Sequence, residues 1–226
     1  MKSTIKLFGI IAIVAVIGFS FASCGGGGND ITGSHTHDWN LETGLCSGCS
    51  ELYYNIGDTG PGEGIIFYRI IGGFTVANIG DPCHYLEAAP SNSSSSAEWG
   101  GNGTGVLGVT TFTSSTSEDY NKIGNGFKDS VTIWLHLGSI PETGRAAQVA
   151  KEATFGGWPD WFLPSSGELN QLYLQRNLKG INITSGSFWS SSQYDTGGAW
   201  IQNFGTGSRG SDGKSASYEV RAIRAF

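Results

Sequence analysis

Glycine fills 36 of 226 positions and follows no three-residue period. A share near one in six, against about 7% in ordinary proteins, excludes most helical architectures. Each glycine inside a helix costs roughly 1 kcal/mol relative to alanine. Collagen is excluded too, because its triple helix needs glycine at every third residue. Aromatic residues reach 12%, with seven Trp, so the chain has enough large apolar surface to fold. Charged residues make up only 14%, against about 25% as the norm. The expectation is a turn-rich domain of short strands around an aromatic centre.

The first residues read as a targeting signal. Lys2 and Lys6 precede an apolar run from Leu7 to Phe21, which is followed by Ala22-Ser23-Cys24. A charged start, an apolar stretch and small residues before a cleavage point form a secretory signal over 1–23. The run is shorter than the ~20 residues of a spanning helix. Phe21-Ala22-Ser23-Cys24 resembles a bacterial lipobox, which implies lipidation of Cys24 and a lipid anchor in the cell envelope. Residues 24–34, with Gly25 to Gly28, read as a flexible tether. Loss of residues 1–23 removes two lysines and no acid, so the net charge moves from -6 to -8. That balance argues against nucleic acid as a partner.

Residues 35–50 form a His/Cys segment. Cys46 and Cys49 have the spacing that lets two thiolates reach one tetrahedral ion, and His35 and His37 share a face of an extended segment. The segment is either a zinc knuckle or a Cys46–Cys49 disulfide flanked by free histidines. Cys24, Cys46, Cys49 and Cys83 are the only cysteines, so no dense disulfide framework is expected. Cys83 reads as a small buried hydrophobe.

From residue 52 onward the signals are those of one domain of short strands with helices in its middle. Ile65 to Ile71 reads as a buried strand, with Phe74 to Ile79 pairing back on it across Gly72-Gly73. His84 to Pro90 is a further strand, and Ser91 to Gly108 a long loop pinned by Trp99. Helices are expected over Asn125 to Leu137 and Glu142 to Ala153. A third starts at Ser165, where Glu168 three residues on completes a capping box. Strands follow at Phe188 to Ser192, Ala199 to Phe204 and Ser217 to Ala225, with residues 205–216 as a polar loop. Trp161, Trp189 and Trp200 are expected in the core.

Several blocks carry a family resemblance. They are Ile56-Gly57-Asp58-Thr59-Gly60-Pro61-Gly62, Tyr85-Leu86-Glu87-Ala88-Ala89-Pro90, Trp161-Phe162-Leu163-Pro164-Ser165, Phe188-Trp189-Ser190-Ser191-Ser192, Ala199 to Phe204 and Tyr218 to Phe226. In this order they resemble the Lcl C-terminal domain family of bacterial surface proteins, over nearly all of 54–226. The resemblance implies an α+β, C-type-lectin-like fold of short antiparallel strands, two to three helices and long Gly/Ser-rich loops. It also implies that the first and last strands pair, placing Ile65 to Tyr68 near Val220 to Ala225. Members are mostly thought to bind rather than catalyse, and one is an adhesin for sulfated polysaccharides.

The residues themselves favour binding over catalysis. No Glu-Pro-Asn or Gln-Pro-Asp tripeptide occurs, so a calcium-dependent sugar site is not expected, with Asp195, Asp212 and Glu219 as the lesser option. His84 and His136 come with no nucleophile-elbow motif. Tyr194, Gln202, Asn203, Arg209, Lys214 and Arg221 are the candidate ligand-binding residues, with Arg209 and Lys214 expected in solvent and Arg221 in a salt bridge. The expected function is a non-catalytic, adhesin-like envelope lipoprotein that needs no cofactor. Its partner is an extracellular glycan or a host or envelope protein. The alternative is a structural or protein-interaction display domain.

Overall fold

The computed structural model describes residues 39–40, 45–46, 53–77 and 82–226. The fold is α+β, with three α-helices and two main sheets. Strands β1 (Trp39–Asn40) and β2 (Leu45–Cys46) form a small antiparallel pair, with Trp39 opposite Cys46. The expected signal, tether, His35, His37 and Cys49 lie outside the described residues. No helix among the described residues is long and apolar enough to cross a membrane.

The first main sheet holds three antiparallel strands in the order β10-β4-β3: β3 (Ile65–Phe74), β4 (Cys83–Ala88) and β10 (Ile223–Ala225). The hairpin expected across Gly72-Gly73 does not form. β3 carries both glycines inside it, in an irregular stretch where the register with β4 shifts between Arg69 and Phe74, and it resumes pairing with Phe74 facing Cys83. The terminal strands share this sheet, but β4 stands between them, so the direct pairing implied by the resemblance is absent. β4 is buried along its whole length, which suits a central strand.

The second sheet has the order β5-β9-β6-β7-β8: β5 (Ser94–Glu98), β6 (Ser187–Gln193), β7 (Gly198–Asn203), β8 (Arg209–Gly213) and β9 (Ser217–Val220). Two of these strands fall where loops are expected. β5 lies inside the Ser/Gly stretch after Pro90, and β8 inside residues 205–216. Both are made of poor strand formers and are held by register with better ones. Arg209 faces Gln202, and Ala97 faces Tyr218. The expected last strand is split, because the chain leaves one sheet after Val220 and joins the other at Ile223. Arg221 and Ala222 make that crossing.

Helices α1 (Gly126–Ser139) and α2 (Ala146–Lys151) pack on one aromatic core, and α3 (Ser166–Leu174) on another. The first core gathers the fully buried Trp99, Trp161 and Trp189 with Ile133 and Leu137. The second gathers Phe67, Leu86, Phe162, Phe188 and Phe204. Each buried indole finds an acceptor: Trp99 Nε1 donates to Ser190 O, Trp189 to Ala97 O, and Trp200 to Phe112 O. The three tryptophans expected in the core are there. The Ser165–Glu168 capping box opens α3 as the spacing predicts.

The Gly60–Gly64 turn is clamped from below by Glu87, whose carboxylate accepts from Gly62 N and Gly64 N at 3.1 and 2.8 Å. Gly64 is required here, since a Cβ would sit 2.0 Å from Ala88 O. Arg224 balances the buried carboxylate. Its guanidinium lies 3.7 Å from Glu87 and 2.6 Å from Asp160, and stacks on Trp158.

Cys83 is fully buried and disulfide-bonded. It is therefore not the simple buried hydrophobe expected from the sequence. The arithmetic of four cysteines still has a consequence: the chain cannot both lipidate Cys24 and give Cys46 and Cys49 together to one metal.

Candidate functional site

The six candidate binding residues do not converge. Lys214, expected in solvent, is fully buried. Its Nζ donates to Thr104 O and Gln193 Oε1, both at 2.8 Å, and lies over the Trp99 ring. Burial pushes its pKa down to about 8. Lys214 thus pins the 101–106 loop to the second sheet. Gln202 is buried and donates to Asn170. Asn203 folds the tight turn after β7, its Oδ1 accepting from Gly205 N and Thr206 N. Arg209 stacks on Tyr120 and donates to Tyr120 O and Asn121 Oδ1. Tyr194 packs edge-on against Trp200. These five do structural work in separate places.

The lesser calcium option also disperses. Asp195 accepts from the turn amides of Gly197 and Gly198, and Asp212 binds the Tyr218 hydroxyl and Gly213 N. Among the described residues no group of three His, Cys, Asp or Glu side chains is placed to hold a metal.

Arg221 is different. It sits at the crossing between the two sheets and lines a polar cleft of about 430 Å³. One wall is Pro90, Ser91 and Asn92, just after β4. The other is the 181–185 segment between α3 and β6, with Glu219 on the floor. That segment alternates: Ile181 and Ile183 are buried, while Asn182 and Thr184 are exposed. The buried pair anchors the wall and the exposed pair presents an amide and a hydroxyl. Gly186, at φ +90°, follows this segment, and a Cβ there would strike Glu219 at 2.0 Å.

The sequence suggests a salt bridge for Arg221, and the described residues hold none. Arg221 is only 5% exposed. Its Nη1 donates to Asn92 Oδ1 at 3.0 Å, and Asn92 Nδ2 donates in turn to Glu219 at 2.6 Å. Nε and Nη2 are buried and have no acceptor, as has the Ser93 hydroxyl. Burial, with no opposing carboxylate to offset it, lowers the Arg221 pKa to about 10. A buried cation with two idle donors is costly to keep unless something else satisfies it.

Asn92 and Asn182 each begin an Asn-x-Ser/Thr triplet, but nothing local in the sequence marks them as cleft residues. The sequence separation of 129 between Arg221 and Asn92 explains why their contact escapes a sequence reading. A larger, mostly apolar hollow of about 550 Å³ lies by Trp134, Leu135 and Pro141. Its carboxylate, Glu142, is already engaged by Gly101 N and Arg145, so it holds no idle charge.

No family model matches the chain, and no curated protein matches it in sequence. Among solved structures it is similar to a fimbrial protein from Bacteroides ovatus ATCC 8483, with 16% identity and a TM-score of 0.48 over 78% of this chain. The chain spans about half of that protein, 47% of its length.

Proposed function

We propose that this chain is a lipid-anchored protein of the cell envelope, presented at the outer membrane or cell surface. Its 52–226 domain is C-type-lectin-like, of the Lcl C-terminal kind, and binds a glycan without chemical change. The observation that carries the reading is Arg221, almost wholly buried in a polar cleft with two N–H donors unmatched. Binding sites are concave and set a few convergent polar groups on a rigid frame. The amides of Asn92 and Asn182 and the hydroxyls of Ser91, Thr184 and Ser185 suit the hydroxyls of a sugar ring.

A glycan array and a heparin column, run on the chain from Gly25 onward, test the proposal. Specific hits that Arg221→Gln removes are the expected result. A blank on both would overturn glycan binding and leave protein display as the role of the domain.

A further inference from the structure

The two idle donors of Arg221 have a shape as well as a charge. Nε–H and Nη2–H leave the same edge of the planar guanidinium side by side, while Nη1 on the other edge is occupied by Asn92. Two parallel N–H groups match the two oxygens of one carboxylate. A single sugar hydroxyl meets both only through one oxygen and with bent hydrogen bonds. Glu219, held next to the cleft through Asn92, sets a limit on the negative charge the site can take. One formal negative charge is compensated by Arg221, whereas a densely charged group meets repulsion from Glu219. Both idle nitrogens are closed to water in the unliganded cleft, and the neighbouring Asn92 side chain, half-buried, links Nη1 of the same guanidinium to Glu219.

From this we infer that the Arg221 cleft is a subsite for a singly charged carboxylate on the bound saccharide, a hexuronic-acid unit, which takes the free edge of Arg221. The inference rests on the glycan-binding reading above and adds the class of sugar. Ser91, Thr184 and Asn182 then meet the ring hydroxyls. The hydroxyl of Ser93, next in the chain after Asn92, is also buried without a partner.

The experiment uses the full chain in detergent, 15N-labelled, with three probes of equal length: oligogalacturonate, its fully methyl-esterified form, and a sulfated neutral oligosaccharide. The readouts are affinity and the Nε–H resonance of Arg221. Oligogalacturonate should bind at least about tenfold more tightly than the ester and shift the Nε–H resonance downfield, as a bidentate pair requires. Arg221→Lys, which keeps the charge and loses the fork, should erase that preference and leave binding of the ester within about twofold. Should this variant fail to fold, the Nε–H shift in the unsubstituted protein still decides. Equal binding of acid and ester with the resonance unmoved overturns the carboxylate subsite and leaves glycan binding standing. Preference for the sulfated probe also overturns it. Failure of all three probes to bind overturns the hexuronic-acid subsite, while the array and the heparin column decide glycan binding itself.

Discussion

Asp129 shows what one buried group does to this protein. It is fully buried in α1, accepts from Thr110 N at 3.0 Å, and lies 3.5 Å from Lys128. Its second oxygen has no hydrogen bond, and burial raises its pKa to about 6. The unfolded carboxyl titrates near 3.9, so between these values the native state holds the extra proton. Its contribution to stability is greatest below about pH 4 and is lost as pH rises through 6. Asp129→Asn should therefore raise the melting stability at pH 7.5, by about 1 kcal/mol, and change little at pH 4. Thermal melts at the two pH values check this. Cys83 gives a second prediction. Reduction should cost about 2–4 kcal/mol in denaturant titrations, and non-reduced peptide mapping should find Cys83 joined to Cys46 or Cys49, since Cys24 carries the lipid. A free Cys83 thiol would contradict it. The burial of Lys214 was not legible in the sequence, because its acceptor Thr104 is 110 residues away. A lysine in a polar Gly/Ser stretch reads as solvated until the fold brings Trp99 beneath it.

At the scale of elements, the carboxylates of Glu168 and Glu87 join parts that local propensity leaves loose. Glu168 is fully buried and accepts from Gly124 N and Ser165 N, both at 2.7 Å, so one side chain caps α3 and holds the approach to α1. Burial raises its pKa against these hydrogen bonds. Glu168→Ala leaves those amides buried without an acceptor and should cost about 3 kcal/mol, read from chemical denaturation. A loss below about 1 kcal/mol would show that the two helix starts are held otherwise. The capping half of this was legible, since Ser165 and Glu168 are three apart. The half that reaches Gly124 was not, because it spans 44 residues. The same distinction separates the strands. β6 and β7 announce themselves through Phe188, Trp189 and Trp200, whereas β8 (Arg209–Gly213) carries no apolar side chain and exists only through its register with β7.

The whole molecule places two aromatic cores under two sheets that the chain links at Arg221 and Ala222. The abundant glycine lets loops fold tightly at close approaches such as Gly64 and Gly186. The order of strong blocks made the α+β class legible, but the cleft was not, because its walls come from residues near 90, 182 and 220. The test that bears most directly on the account is amide chemical-shift mapping of the chain from Gly25 onward, titrated with its tightest-binding oligosaccharide. The largest shifts should fall at Ser91 to Ser93, Asn182 to Ser185 and Glu219 to Ala222. Shifts concentrated instead around Trp134 to Glu142, or along the Asn203 to Lys214 turn and strand, would contradict it.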